Sequence, residues 1–335
     1  MSKVYLIKNN YEENFKKVYK ELSKKFSKGK TAIKVHFGEE GCTTHLSPGL
    51  VKILSKNINN PYLIECNVLY KGKRTYAKDH IELAKQHGFT FAPIIIADGQ
   101  LGDDYLEIEI NKKHFKTIKI GKELQNFKNL IVFSHFTGHV ATGFGGALKN
   151  LGMGLGSRAG KLAMHCKTTI TINPNKCTAC GLCIKNCPAD AISYVNEKAF
   201  IDEKKCIKCA RCIAVCPVKA PQVPWNSVRG KDIQERIVEY CFGINKLCNI
   251  IYFTSLQNIT LDCDCEDKPQ IPIIKDLGIL ASTDPVAIDQ TAIDLVKKEL
   301  KKDIFKEHNK IDSSFQLEYA EKLNLGSRKY ELISL

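Results

Sequence analysis

Fifteen cysteines are the residues of this 335-residue chain best able to do chemistry, and eight of them fall into two ordered runs. The first run is Cys177-x-x-Cys180-x-x-Cys183-x-x-x-Cys187-Pro188. The second begins 29 residues later as Cys206-x-x-Cys209-x-x-Cys212-x-x-x-Cys216-Pro217. Thiolates are soft ligands suited to iron–sulfur clusters and to zinc. Three of them in one tight loop, every third residue turned inward, supply three corners of a cubane, and the fourth must come from further along the chain. Structural zinc with four cysteines usually takes two separated pairs instead. A disulfide framework fits poorly, because the chain is long, its cysteine number is odd, and Met1–Asn10 reads as a strand rather than a secretory leader. The spacing therefore predicts two [4Fe–4S] clusters, with structural zinc or free thiols as the other readings.

The duplication reaches beyond the cysteines: Asn175-Lys176-Cys177 matches Lys204-Lys205-Cys206, and Ile192–Val195 and Ala199–Asp202 read as a hairpin around Asn196-Glu197-Lys198. Over about 50 residues the segment resembles the two-cluster bacterial ferredoxins. That resemblance implies that Cys177, Cys180, Cys183 and Cys216 hold one cluster. Cys206, Cys209, Cys212 and Cys187 would hold the other, since in that family the fourth cysteine serves the opposite site. Apolar neighbours Ile184, Ile192, Ile207, Ile213 and Val215 are expected to exclude water.

A second constellation lies outside the cysteine runs. Seven glycines crowd Gly143–Gly160, flanked by His135, His139 and His165 and containing Lys149. Glycine lets a backbone approach a ligand, or another element, closely. Imidazoles titrate near neutral pH and ligate metals, so these residues are candidates for catalysis or cofactor binding. Gly154-x-Gly156-x-x-Ala159 matches the dinucleotide fingerprint only loosely. It does not follow a strand directly, and the cysteine segment begins where the ribose-binding acid should stand. A phosphate-binding P-loop is excluded because Lys161 is followed by Leu162. Cys263-x-Cys265 puts two thiols on one side of an extended backbone, as a third metal or redox site requires; ordinary reduced thiols are the other reading. Plain packing roles for the glycines and the single histidines stay open beside these.

The elements that must position these groups alternate along the chain. Val4–Ile7, Ala32–Phe37, Pro61–Cys66, Pro93–Ala97, Leu130–Phe136, Thr168–Ile172, Asn249–Thr254 and Gly278–Ala281 have strand character. Tyr11–Phe26, Pro48–Ile58, Tyr76–His87, Asp232–Tyr240 and the segment opened by Asp284-Pro285 have helical spacing. Asp104–Ile110 and Phe115–Ile120 read as a hairpin. The periodicity stops at Pro174 and resumes after Pro224. The expected architecture is an α/β domain, residues 1–173 and 223–335, with a mostly parallel or mixed sheet covered by helices on both faces. A small ferredoxin-like α+β insert, 174–222, interrupts it. Two separate α/β domains flanking the insert are the alternative.

The surrounding chain resembles the family called domain of unknown function 362. The resemblance rests on Lys34–Glu39, Leu69–Arg74 running on to His80, and Ala97-Asp98-Gly99. It continues through Gly138–Gly154, Cys263–Cys265 and Gly278–Asp289. His139 to Lys149 is also faintly similar to a stretch of the nickel-dependent lactate racemases, in which a lysine after a Gly-Gly pair anchors the cofactor. The net charge of +14 comes almost entirely from lysines spread along the chain, with only six arginines, so no nucleic-acid face is expected; acidic redox partners are. No stretch could span a bilayer, and a reducing cytoplasm is the expected location. Three functional classes follow. One is a redox enzyme or subunit that feeds electrons from two [4Fe–4S] clusters to a small-molecule substrate in the α/β domain, with a third metal or bound organic cofactor. The second is a non-catalytic electron carrier that docks a partner. The third is a non-redox enzyme whose clusters are structural.

Overall fold

The computed structural model describes residues 1–225 and 227–335. One eight-stranded sheet organises the α/β part. Its strands are β1 (Ser2–Ile7), β2 (Thr31–Lys34), β3 (Tyr62–Glu65), β4 (Ile94–Ile96), β5 (Asn129–His135), β6 (Asn249–Ser255), β7 (Ile279–Ser282) and β8 (Tyr330–Ser334). They lie in the order β8-β1-β7-β6-β5-β2-β3-β4. All pairs are parallel except those of β7, which runs antiparallel to both β1 and β6. The sheet is thus mixed and mostly parallel, and it draws strands from both sides of the cysteine segment.

The central strands β5 and β6 read Asn-Leu-Ile-Val-Phe-Ser-His and Asn-Ile-Ile-Tyr-Phe-Thr-Ser, near-continuous apolar runs because both faces are covered. Side chains alternate between the faces. Ile131, Phe133, Ile251 and Phe253 share a core with Phe15, Val18 and Leu22 of α1 (Tyr11–Leu22) and with Val51 and Leu54 of α2 (Pro48–Ser55). Leu130, Val132, Ile250 and Tyr252 face the other way, onto three helices. After α3 (Ala77–Gln86) on the first side, those are α4 (Ala147–Leu155), α6 (Lys231–Asn245) and α7 (Pro285–Leu300), while α5 (Arg158–His165) follows α4 directly. Asp284 caps α7 as expected, its carboxylate accepting the Val286 and Ala287 N–H groups at 2.8 Å.

Three features depart from the sequence reading. The glycine run, to which the sequence assigned no element, opens on a short strand, Gly143–Gly145, paired with Thr137–His139, and continues as the two helices α4 and α5. Leu148, Leu151 and Leu155 give α4 its buried face, and Asp289 of α7 accepts the Ala147 and Leu148 N–H groups at 2.7 and 3.0 Å. The segment read as a strand over Thr168–Ile172 pairs only at Thr171–Ile172, with Pro221–Gln222 rather than with the main sheet. Edge strand β8 has no counterpart among the segments read from sequence, since its side chains are only partly buried and leave no clear pattern.

Between Ile172 and Pro221 the chain builds a hairpin, Ile192–Val195 against Lys198–Ile201, and two short helices, Leu182–Lys185 and Arg211–Val215. It has its own apolar cluster around Ile170, Ile192, Ile201 and Ile213, joined by Leu69 and Leu162 from the α/β part. The antiparallel pair at Thr171–Ile172 and Pro221–Gln222 brings its two ends together.

Gly152 is where α4 meets α6: a Cβ there would stand 2.3 Å from the Ile237 carbonyl oxygen and 2.9 Å from Cys241 Sγ. Gly152→Ala should therefore lower stability by about 1–3 kcal/mol, the usual cost of overpacking. Gly49→Ala, whose new methyl meets nothing nearer than Ser47 Oγ at 3.5 Å, should leave chemical denaturation unchanged or shift it slightly upward.

Candidate functional site

The two cysteine runs fold as copies of one another. Residues 29 apart adopt the same left-handed backbone: Ala179 and Lys208, Gly181 and Ala210, Asp190 and Lys219. These turns curl each loop so that successive thiols face inward. The surrounding hydrogen bonds repeat as well. Cys177 and Cys206 N–H donate to Asn173 and Asp202 carbonyls, and Cys187 and Cys216 Sγ each accept an N–H four residues on, at 3.3 Å. Cys177, Cys180, Cys183 and Cys216 line one small cavity, walled by Ile172, Ala199, Val218 and Pro221. Cys187, Cys206, Cys209 and Cys212 line a second, walled by Ile170, Ile192, Ile201 and Ile207. Ile192 and Ile213 are buried as expected, whereas Ile207 is half exposed and shields its cavity on one face only.

A larger cavity of about 150 Å³ lies in the α/β part. The parallel strands β2, β3, β5 and β6 all end at one edge of the sheet, and the residues just beyond those ends line it, as expected for open α/β folds. His135, His139, Lys149, His165, Cys263 and Cys265, scattered over 130 positions of sequence, all face this single space. Lys149 Nζ donates to Cys263 Sγ at 3.2 Å. One ligand atom from each of His139, Cys263 and Cys265 lies within 4.8 Å of the other two. Cys263 and Cys265 sit in a loop between β6 and β7 rather than on a strand, yet both still reach the cavity. His135 is committed elsewhere: Nδ1 lies 2.8 Å from Asp264 and Nε2 2.7 Å from the Gln257 carbonyl. It holds Asp264 in place.

The electrostatics explain how so many polar groups stay buried. Lys34, fully buried, pairs with Glu65 at 3.0 Å and donates to Asn150 Oδ1 at 2.6 Å. Arg74 reaches Glu39 at 2.8 Å and Glu65 at 3.6 Å, and Tyr70 donates to Glu39 at 2.5 Å. Lys161 has only the Gly154 and Gly156 carbonyls, at 3.0 and 2.5 Å. These cations set the ionisation of their neighbours. Burial first, then Lys149 and His165, hold His139 well below the usual imidazole range. Burial, Lys149 and Lys161 bring His165 down to about 4. For His135 burial works against the charge, but the Asp264 carboxylate outweighs it and the pKa is raised. The Cys265 thiol and, against the cost of burial, the Lys149 ammonium hold Cys263 down to about 6, while Cys265 is pushed up. The site thus presents neutral imidazoles at His139 and His165, an imidazole at His135 paired with Asp264, one thiolate, and the ammonium and guanidinium groups of Lys149, Lys161 and Arg74.

Insert and cavity share a wall. Leu69 lines the cavity and belongs to the apolar core of the cysteine segment. Lys71 Nζ and Tyr76 Oη both donate to the Ala214 carbonyl at 2.7 Å, and Arg211 pairs with Asp103. Trp225, just past the insert, lines the mouth with its ring edge-on to His165 at 4.9 Å. The other five cysteines, Cys42, Cys66, Cys166, Cys241 and Cys248, are dispersed buried thiols.

Lys34, His36, Glu65, Arg74, Asn150 and Lys161 were not read from the sequence as site residues. The signal was present: a Lys or Glu closing a buried strand needs a partner, and Lys34 and Glu65 each do so. Glu65→Gln leaves Lys34 without a buried counter-charge, and should cost about 3–5 kcal/mol in chemical denaturation.

No curated protein matches the chain. Among solved structures, the lactate racemase apoprotein from Thermoanaerobacterium thermosaccharolyticum aligns at 12% identity and a TM-score of 0.46, over 89% of this chain and 57% of that one. A structural-genomics protein from Thermotoga maritima aligns at 13% and a TM-score of 0.44, over 86% and 59%. The chain spans less than two thirds of the length of either. The family model described as domain of unknown function (DUF362) matches residues 31–294, most of the chain, and the protein belongs to that family.

Proposed function

We propose that this is an iron–sulfur electron-transfer protein whose 174–222 segment is a two-[4Fe–4S] ferredoxin insert that delivers electrons to a small-molecule site in the α/β domain. The observation that carries the reading is the partition of eight cysteines into two cavities of four, each taking its fourth thiol from the opposite run. Three thiols at every third residue with the fourth traded between runs are the ferredoxin pattern, whereas structural zinc with four cysteines usually takes two separated pairs. When bound, the clusters would supply single electrons.

The chain's own residues do the rest. Leu69 and Trp225 keep the wall between insert and cavity apolar and exclude water there. Arg74, Lys149 and Lys161 around the cavity favour an anionic substrate, and Lys149 can hand a proton to it at the moment an electron arrives. The charge-poor patches near Val68, Leu69 and Met153 leave room for a short apolar body. No helix among the described residues is long and apolar enough to cross a membrane.

A second reading, a carrier that docks a partner, is favoured by one observation. Tyr194, Val195, Phe200 and Ile207 of the insert are 48–53% exposed, among a scatter of lysines. An acidic redox protein would fit that surface.

Two measurements test these readings. Anaerobically prepared protein should hold about eight irons and eight sulfides, with the low-temperature spin-resonance signal of reduced cubanes; stoichiometric zinc without sulfide would overturn the assignment. Protein reduced with dithionite and then freed of it should be reoxidised by small 2-oxo or 2,3-unsaturated acids, whose C=O or C=C bond takes up two electrons and two protons. Lys149→Ala or His139→Ala should slow that reoxidation by about 100-fold or more, the usual scale of a lost acid–base group, and leave the cluster spectrum intact. Equal reoxidation in both variants would leave the carrier reading in its place.

A further inference from the structure

We propose that His139, Cys263 and Cys265 hold a single soft divalent metal ion, of the zinc or ferrous class, at the wall of the central cavity, with one coordination position left open to a small organic anion. The inference deepens the cavity assignment above but does not depend on the clusters.

Geometry comes first. The three ligand atoms already lie within 4.8 Å of one another. Ligands of a tetrahedral zinc, at bonds of about 2.0–2.3 Å, stand roughly 3.5 Å apart, so small side-chain rotations close the set. His139 closes the short strand Thr137–His139 that follows β5, and the cysteines lie on the loop that follows the adjacent, parallel β6; the Gly138 N–H donates to the Thr260 carbonyl at 2.8 Å and ties the two segments together. Two sulfurs and one imidazole are a donor set for zinc or ferrous iron, not for magnesium or calcium. Three protein ligands rather than four leave a vacant position, as catalytic rather than structural sites do.

The surroundings also hold the ligands in place. The Ala141 N–H donates to His139 Nδ1 at 3.2 Å, and Thr142 Oγ1, which donates to the Phe144 carbonyl at 2.7 Å, lies 3.0 Å from the same nitrogen. Nδ1 is thus engaged within its own turn, which fixes the ring and leaves Nε2 as the nitrogen for an ion. The Cys265 N–H and Lys149 Nζ both reach Cys263 Sγ, at 3.4 and 3.2 Å, and compensate its negative charge.

The open position determines what binds. Lys149, Arg74 and Lys161 line the same space as the three ligands, and so do Val68, Leu69 and Met153. A cavity of about 150 Å³ takes a body about the size of benzene. A carboxylate on a short apolar frame meets every part of this lining: the metal and Lys149 take the oxygens, and the apolar wall takes the frame.

The test uses the whole chain, purified without oxygen, exposed to zinc ion alone, then desalted. Metal is counted against acid-labile sulfide, so that cluster iron is separated from any further ion. About one metal beyond the sulfide-matched iron is expected, with sulfur and nitrogen neighbours in its X-ray absorption spectrum. Cys265→Ser and His139→Gln should each lower its retention by about tenfold or more. Sulfide content and cluster absorbance should stay constant throughout, which also reports that the variants fold. Wild type that retains no ion beyond cluster iron overturns the proposal, as does equal retention in both ligand variants. Loss of sulfide with retention of the extra ion would remove the ferredoxin reading and leave this one standing.

Discussion

Everything at the strand ends depends on keeping several cations out of water without letting them repel one another. Lys34, Arg74 and Lys161 are each buried within one small region, and only Glu39 and Glu65 stand against the first two. Taking such charges from water costs several kcal/mol apiece unless they are paired and hydrogen-bonded. The fold meets this cost by distributing partners over separate elements: Glu65 ends β3, Glu39 lies beyond β2, Asn150 sits on α4, and the Gly154 and Gly156 carbonyls come from the end of that helix. Gly154 is required there, since a Cβ would stand 2.6 Å from Lys34 Nζ. Sheet edge, glycine-rich helix and loop are thereby locked into one arrangement, and the cavity is what that arrangement encloses.

The glycines show how far the sequence could be read. Their density signals close approach, and close approach is what they do, but the partner could not be named. Gly152 meets a carbonyl of α6 and Gly160 meets the Lys119 carbonyl, both distant in sequence. The run showed no helical pattern, because glycine is poor in helices and hides the three leucines that mark α4. The grouping of the repeated cysteines was legible because it is local: three thiols of each cavity lie within seven residues, and only the fourth comes from the duplicate. The central site was half legible. His139, Lys149, Cys263 and Cys265 carry recognisable chemistry, whereas Arg74 and Lys161 look like any surface cation until the sheet closes over them. His135 shows the opposite error, a chemically able group already engaged on both nitrogens.

The contact between insert and α/β part is small and specific. A single carbonyl, that of Ala214, receives both Lys71 and Tyr76, and Leu69 fills the gap between the two cores. Both donors lie in the stretch that also carries Arg74. The residues that dock the insert and those that line the cavity therefore belong to one loop, and any displacement of one group is felt by the other.

The short strand pair at Thr171–Ile172 and Pro221–Gln222 has a consequence for how the molecule is built up and worn down. Because the ends of the insert meet there, the strands of the main sheet do not depend on the path the chain takes between them. Seven non-glycine residues of the insert sit in the left-handed region, Ala179, Asp190, Asn196, Glu197, Lys208, Ala210 and Lys219, at about 1–3 kcal/mol each. That burden falls on a segment with a small core of its own, so an ion or cluster held by its eight thiols would add to what keeps it in shape. Loosening of that appendage would leave the strands of the main sheet assembled, and the loop from Leu69 to Tyr76 is the part of the α/β domain that would feel it.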